Sequence, residues 1–248
     1  RQTNQRVSFD PAVDTTPVWT PDGTRVAYWN QQAGTLITNA DGTGQPEVLH
    51  SGDFVIPASF TPTGETLLVN PSGSNIAAIT VGTDSVSDNL SMLIDSEFTE
   101  GSLRLSPDGN WVAYQSDESG EVEVYVRPFP DVQSGLWQVS RSGGRDPIWS
   151  GDGSALFYLG GSGDLTTVTV ETDPTFIPSV EEALFDASSY FSGGFRYAFT
   201  VDHEGQRFLM MKPAGVAVAE NPEAEAGRGH ITVVQNWFEE LEQRVPVP

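Results

Sequence analysis

A short turn sequence recurs five times along the 248-residue chain, and its spacing constrains the fold more than any other feature. The turn reads Pro-Asp-Gly or a close variant, and its glycines are Gly23, Gly64, Gly109, Gly153 and Gly205. These glycines are 41, 45, 44 and 52 residues apart. A period of roughly 40–50 residues is typical of a fold assembled from equal supersecondary units.

The residues around each turn have the pattern of buried strands. Large apolar residues stand four positions before the glycine, at Trp19, Phe60, Leu105, Trp149 and Val201, and again three and five positions after it. The positions three and five after the glycine are two residues apart and share one face of a strand, so this face is predicted to be buried. The residue between the two later positions is also apolar, as at Ala27 and Leu68. The strand after the turn is therefore predicted to be buried on both faces, as in a sheet stacked between two others.

Further alternating runs complete each repeat. The third run is "TLITNA" from Thr35 or "EVEVYVRPF" from Glu121, and a fourth short run is "QPEVLH" from Gln45 or "LWQVS" from Leu136. Four antiparallel strands per repeat are typical of a β-propeller blade. A solenoid or a sandwich is the alternative, but a sandwich does not predict equal repeats. The prediction is one all-β domain with blades at residues 17–50, 57–94, 102–140, 146–186 and 196–238, and a short helix at residues 237–245.

How the ring of blades closes has two interpretations. Residues 1–10 have the pattern of an outermost strand, whereas the last repeat ends on "ITVVQNWF" as a third strand and lacks a fourth. The two termini would complete one blade together if they exchanged strands, which leaves no exposed sheet edge. Alternatively, residues 1–10 are the last strand of a blade that lies upstream. The loop at residues 213–229, rich in Ala, Glu and Gly, is expected to be mobile.

Three longer stretches resemble a known family. They are "FDPAVDTTPVWTPDG" (Phe9–Gly23), "YVRPFPDVQSGLWQVSRSGG" (Tyr125–Gly144) and "ITVVQNWFEEL" (Ile231–Leu241). Together with the "SPDG" turns they resemble the TolB-like, WD-repeat-related propellers, in particular the propeller domains that follow bacterial Ser/Thr protein kinase domains. The resemblance covers essentially the whole chain, although His203 and Glu204 stand where the family has Pro and Asp.

The resemblance implies six blades in the intact parent and a recognition or scaffold role without catalysis. It also implies a periplasmic or otherwise extracytoplasmic location, with membrane association through a partner or an N-terminal segment. A third implication of the resemblance is that this chain is a regulatory part of a receptor kinase, although the chain itself carries no kinase motif.

The charge of the chain excludes several partners. There are 34 acidic and 12 basic residues, for a formal net charge of −22. Such a field repels the phosphates of nucleic acids and of anionic lipids, so neither is an expected partner. There is no cysteine, and no apolar stretch is long enough for a transmembrane helix.

Sequence motifs for catalysis or metal binding are missing. No Gly-x-Ser-x-Gly motif occurs, and His50, His203 and His230 are not at metal-ligand spacing, so each is expected at the surface. The stretch "NADGTGQPE" from Asn39 is interpreted as a hairpin turn, because the frame of a calcium loop is missing. We therefore expect no catalytic residue, cofactor or metal.

The alternative is a carbohydrate-binding or glycoside-cleaving propeller. Cleavage needs two carboxyl groups about 5–10 Å apart. The candidates lie on loops between blades, at Asp53, Asp95, Glu97, Glu100 and Asp146.

The loops between blades also carry the candidate binding residues. In a propeller these loops gather on one face, and here they hold aromatic and arginine side chains in otherwise polar segments: Phe54, Phe98, Arg141, Arg145, Tyr190 and Phe191. Aromatic residues and arginine are the usual anchors of protein interfaces. The alternative for each aromatic residue is a packing role between blades. The prediction is a non-catalytic module that binds a protein or peptide, as a sensor domain or accessory subunit of a larger bacterial assembly.

Overall fold

The computed structural model describes residues 4–9, 11–72, 74–82, 89–173, 175–190, 199–210 and 232–234. These residues form strands and contain no helix. The helix expected at residues 237–245 and the loop at residues 213–229 lie outside them.

A short strand precedes a series of four similar sheets, which we number as blades in chain order. The short strand is β1 (Asn4–Arg6). Blade 1 consists of β2 (Asp14–Trp19), β3 (Arg25–Asn30), β4 (Gly34–Asn39) and β5 (Glu47–His50). Blade 2 consists of β6 (Val55–Phe60), β7 (Thr66–Pro71), β8 (Ile76–Thr80) and β9 (Leu90–Ile94). Blade 3 consists of β10 (Gly101–Leu105), β11 (Trp111–Ser116), β12 (Glu123–Pro128) and β13 (Trp137–Gln138).

Blade 4 has a divided outer edge, and the last sheet is smaller. Blade 4 contains β14 (Gly144–Trp149), β15 (Ala155–Gly160) and β16 (Asp164–Glu171), and the free edge of β16 pairs with both β17 (Ile177–Pro178) and β18 (Glu182–Asp186). Blade 5 is described as the pair β19 (Phe199–Val201) and β20 (Phe208–Met210), and β21 (Thr232–Val234) follows. Repeated four-stranded antiparallel sheets in chain order are consistent with the blades of a β-propeller.

The second strand of each complete blade packs on both sides, as predicted. In β7, Leu67 and Val69 join a cluster with residues of blade 1, whereas Leu68 joins a cluster with residues of blade 3. All three side chains are fully buried. Alternate residues of one strand thus hold two neighbouring sheets, and the core is a set of layers between blades.

Two positions depart from the predicted burial. Trp149 is buried as predicted, and its indole N–H donates to the carbonyl oxygen of Arg104 in the preceding blade, at 3.1 Å. Trp19 occupies the same repeat position but makes no such bond to a described residue, and it is 43% exposed. In blade 5, Leu209 was expected to be buried between sheets but is 42% exposed. Burial at these positions depends on a neighbouring blade as well as on the local sequence.

The recurrent turns have the predicted conformation. Each central glycine has a φ between +68° and +78°, a region that favours glycine. Its N–H donates to the carbonyl oxygen three residues earlier, at 2.8 to 3.1 Å. The fifth turn keeps this register despite His203 and Glu204. There, Asp202 accepts from the N–H groups of Gln206 and Arg207.

The N-terminal strand pairs with the last described strand. β1 and β21 are antiparallel, with Asn4 opposite Val234 and Arg6 opposite Thr232. This pairing is the one that closure by strand exchange requires. The six blades that the resemblance implies for an intact parent stay a prediction.

Candidate functional site

One face of the molecule carries the described loops that lead from one blade to the next. Because strand direction alternates within a blade, the loop that enters its first strand lies at the same end as the turn between its second and third strands. We call this end the loop face. The Pro-Asp-Gly turns and the connections between third and fourth strands lie at the opposite end.

Backbone hydrogen bonds fix the incoming loop of a blade to the turn of the same blade. The N–H of Gln31 donates to Val13 in blade 1, and the N–H of Ser72 donates to Phe54 in blade 2. In blade 4 the N–H of Gly161 donates to the carbonyl oxygen of Gly143 at 3.0 Å. A Cβ atom on Gly161 would lie 2.1 Å from the Ser142 carbonyl oxygen, so this crossing requires a residue without a side chain.

Phe54 lies on the loop face with a large part of its ring exposed. The side chain is 43% exposed. Its buried part contacts Trp29 of β3 edge-on, with ring centroids 4.5 Å apart and an interplanar angle of 86°. An aromatic pair of this kind fixes the ring orientation. Phe54 therefore presents a preoriented apolar surface.

Phe98 lies at the tip of a loop that is held by polar side chains. The ring is 38% exposed. Its N–H donates to Ser96 Oγ at 3.0 Å, and that hydroxyl donates to Glu100 Oε1 at 2.6 Å. The next N–H, of Thr99, donates to Asp117 Oδ1 at 2.8 Å. The loop is thus ordered without a partner, which lowers the entropy lost on binding.

The connection from blade 3 to blade 4 presents two arginines, Arg141 in the loop and Arg145 at the start of β14. Both side chains are exposed, and neither makes an ion pair or hydrogen bond to another described residue. The loop is anchored below them by the buried Glu123, which accepts from the Ser140 hydroxyl and from the N–H of Gly143. Two unpaired guanidinium groups, one on an ordered loop and one on the strand that follows it, can bind carboxylates or backbone carbonyls of a partner.

Tyr190 and Phe191, the last two candidate binding residues, differ from the other four. Tyr190 is partly buried and packs on the cluster that joins blades 4 and 5, which includes Phe157, Leu165 and Phe199. Its position fits the packing interpretation. Phe191 lies outside the described residues. The structure thus puts Phe54, Phe98, Arg141 and Arg145 on successive connections of the loop face.

The candidate carboxylates do not all face solvent. Asp53, Asp95 and Glu97 are exposed. In contrast, Glu100 is 1% exposed and Asp146 is 7% exposed, with Asp146 Oδ1 accepting from the Ser102 hydroxyl at 2.7 Å. Asp146 lies in the first strand of blade 4, and Glu100 directly precedes the first strand of blade 3.

One carboxyl group that no sequence motif marks, Glu118, is influenced by the charge of Glu100. Burial raises the pKa of Glu118 above its ordinary value; Arg127 opposes this effect, and the negative charge of Glu100 adds to it. Glu100 Oε2 is buried without a hydrogen-bond partner in the described part of the chain. Glu118 lies in the turn of blade 3 that faces this loop, and no sequence spacing relates the two residues.

The stretch from Asn39 and the histidines bear on the expectations about metal binding. Asp41 Oδ1 accepts from the N–H and the hydroxyl of Thr43, as in a hairpin turn. No group of three or more His, Cys, Asp or Glu side chains with metal-binding geometry occurs within the described ranges. His203 is exposed as expected, but His50 is half-buried and its Nδ1 has no hydrogen-bond partner within these ranges. His230 lies outside them.

Known proteins resemble this chain in fold only. TolB from Acinetobacter baumannii matches with a TM-score of 0.61 and 19% identity, over 82% of this chain and 49% of that protein. The β-propeller domain of Cps50 (Swd1) from Myceliophteria thermophila matches with a TM-score of 0.56 and 12% identity, over 85% of this chain and 65% of that one. The chain thus spans about half of the TolB structure. No family model and no curated protein matches the sequence. The similarity to TolB and to a WD-repeat-type propeller supports the TolB-like, WD-like propeller fold.

The described residues also include no helix long and apolar enough to cross a membrane.

Proposed function

We propose that the chain is a non-catalytic propeller module that binds a protein or peptide partner through the loop face. The observation that carries the proposal is that Phe54, Phe98 and Arg141 are exposed on loops, and Arg145 at the start of β14, in segments that are already ordered by hydrogen bonds. Exposed anchors on a preorganised scaffold are what protein interfaces use as binding hot spots.

The charge of the chain bears on the kind of partner. A net charge of −22 attracts basic proteins and repels acidic ones over distances of about a Debye length. We infer that the partner is basic, at least where it faces this module. As in the family that the sequence resembles, the assembly would be bacterial and extracytoplasmic, with this chain as sensor domain or accessory subunit and with six blades in an intact parent.

The experiment is a quantitative capture of partners with the chain as bait, followed by binding measurements on the purified partner. The test variant changes Phe98 and Arg145 to alanine. The matched control changes Leu136 and Arg25 to alanine, since these are an exposed apolar residue and a partly exposed arginine at the opposite end of the blades. We expect one stoichiometric partner that the control variant retains and the test variant binds at least about tenfold more weakly.

Two outcomes would contradict the proposal. One is equal binding by both variants, which would move the interface away from the loop face. The other is no stoichiometric partner from either soluble or membrane fractions. Fractionation with an antibody against the chain tests the extracytoplasmic location separately.

One observation favours the alternative function, a carbohydrate-binding or glycoside-cleaving propeller. Glu118 has a raised pKa beside the buried Glu100, and two carboxyl groups with different environments are the usual equipment of a glycosidase. The test is hydrolysis of aryl glycosides and of bacterial oligosaccharides by the chain and by its Glu118→Gln variant. Activity that the variant lacks would favour this alternative over the interaction module.

A further inference from the structure

Strand β18 forms the outer edge of blade 4 and pairs with a neighbour on one side only. The strand covers Glu182–Asp186 and is antiparallel to β16, with Leu165 opposite Phe185 and Thr167 opposite Glu182. No second strand of the described residues pairs with it. Its outer edge therefore presents backbone N–H and C=O groups that no described strand satisfies.

The outer strands of the first three blades are better protected. The carbonyl oxygen of Leu49 in β5 accepts from the side-chain amide of Asn89 in blade 2, at 2.7 Å. In the same way, the carbonyl oxygen of Leu93 in β9 accepts from the side-chain amide of Gln133 in blade 3, at 3.4 Å. The outer strand of blade 3, β13, has only two residues. In contrast, β18 has five residues, and no described side chain donates to one of its carbonyl oxygens. A long uncovered edge of this kind can pair with another chain.

The side chains of β18 are exposed along the whole strand. All five residues are exposed, whereas β5 and β9 each contain a buried residue. Leu184 and Phe185 expose more than a third of their surface, and Val180 before the strand is 89% exposed. The ring of Phe185 contacts Phe208 of blade 5 edge-on, with ring centroids 5.9 Å apart, which fixes its orientation. The strand thus offers apolar contact area beside its free edge.

The charge of this region determines which kind of segment can pair with β18. Residues 171–190 include five acidic residues and no lysine or arginine. Two of them, Glu182 and Asp186, are the first and last residues of the strand. Antiparallel pairing with a second copy of the chain, centred on Leu184, would put Glu182 opposite Asp186, and like charges directly opposite each other destabilise a strand pair. Lysine or arginine at these positions would instead be attracted. The charge therefore favours a basic segment over a second copy of this chain.

We propose that β18 binds an extended basic segment of a protein partner, which adds to blade 4 as a further outer strand. Main-chain hydrogen bonds supply affinity in this mode of recognition, and side chains supply specificity. Here Glu182 and Asp186 attract basic residues of the segment, and Leu184 and Phe185 contact an apolar residue between them. This surface is separate from the loops of the loop face, so the inference does not rest on the proposed function.

The experiment titrates the chain with three short peptides and follows the backbone amide signals of residues 182–186 by NMR. The first peptide is acetyl-Lys-Val-Thr-Val-Lys-amide, and the second has glutamate in place of both lysines. The third keeps the lysines but carries an N-methyl group on each internal amide, so it has the same charge and lacks the donors that a strand pair needs. We expect saturable shifts with the first peptide and at least about tenfold weaker binding of the other two.

Two variants with the same net charge separate pairing at β18 from long-range attraction. Glu182→Lys should weaken binding of the first peptide about fivefold and strengthen binding of the glutamate peptide, because it reverses one cross-strand charge pair. The matched control is Glu121→Lys, at an exposed residue between β11 and β12 of blade 3. The control should bind the first peptide within about twofold of the parent protein, since distant surface charges are screened by salt.

Equal binding of the first and third peptides would mean attraction by charge alone and would overturn the inference. Shifts confined to residues outside 182–186 would also overturn it. A dimer of the chain in which the amides of residues 182–186 are protected from hydrogen exchange would assign the edge to a second copy instead. The proposed function fails by a different result, which is equal capture of the partner by the Phe98 and Arg145 variant and its control.

Discussion

At the scale of the residue, the recurrent turns show how one carboxylate can accept hydrogen bonds from several nearby backbone and side-chain donors. Asp152 accepts from the N–H and the hydroxyl of Ser154 and from the hydroxyl of Ser150. These bonds, the Ser154 N–H first, lower the pKa of Asp152 to about 2. The pKa of Asp202 in the fifth turn is also lowered to about 2, mainly by its hydrogen bond with Arg207.

The lowered pKa values predict an acid-sensitive stability. A carboxyl group with a pKa of about 2 in the folded protein and about 3.9 in the unfolded chain stabilises the fold fully above about pH 5. This contribution is lost as the pH falls from about 4 to about 2. We expect Asp152→Asn to lower the Tm at neutral pH and the difference from the parent protein to shrink towards pH 2. Thermal unfolding across this range is the measurement, and a constant difference would contradict the interpretation.

At the scale of the element, the second strand of each blade holds two neighbouring sheets. Leu68 is fully buried in the layer between blades 2 and 3, whereas Leu209 has the same position in blade 5 and is 42% exposed. We expect Leu68→Ala to lower the free energy of unfolding by about 2–5 kcal/mol, because it removes apolar contacts and leaves a cavity. Leu209→Ala is the matched control and should cost less than about 1 kcal/mol.

Urea-induced unfolding of the two variants is the measurement. Equal losses would mean that blade 5 is packed as tightly as blade 2. That result would contradict the difference in burial.

The same strands show what the sequence could predict and what it could not. Alternating apolar residues around Leu68 predict burial on both faces because this pattern depends only on the strand itself. The exposure of Trp19 depends on which blade lies beside it, and no local pattern contains that information. In the same way Arg141 was recognisable as a rare cation on a loop, but its surroundings are completed by Pro178 and Glu181, which blade 4 brings to it only in the folded structure.

At the scale of the whole molecule, the pairing of β1 with β21 connects the first described strand to the last. Gln5 lies opposite Val233 in this pair. Gln5→Pro removes one backbone N–H from β1, and proline is poorly tolerated inside a paired strand. We expect faster amide hydrogen exchange in residues 232–234 in this variant and a lower Tm.

Hydrogen exchange followed by mass spectrometry or NMR is the measurement, with the amides of β7 as an internal reference. Unchanged exchange at residues 232–234 would mean that this pair does not contribute to the stability of the fold. Faster exchange throughout the molecule would show that the pair stabilises all the blades.

The hydrogen bonds between an incoming loop and the turn of its own blade have a further consequence. The Phe54–Ser72 and Gly143–Gly161 pairs each lie within one blade, so a loop and its support are inherited together. Duplication of a blade therefore copies a recognition loop with the structure that holds it, and the copied loop is then free to diverge in sequence. For protein engineering, the transferable unit is the loop together with its turn, and grafting the loop alone would leave its support behind.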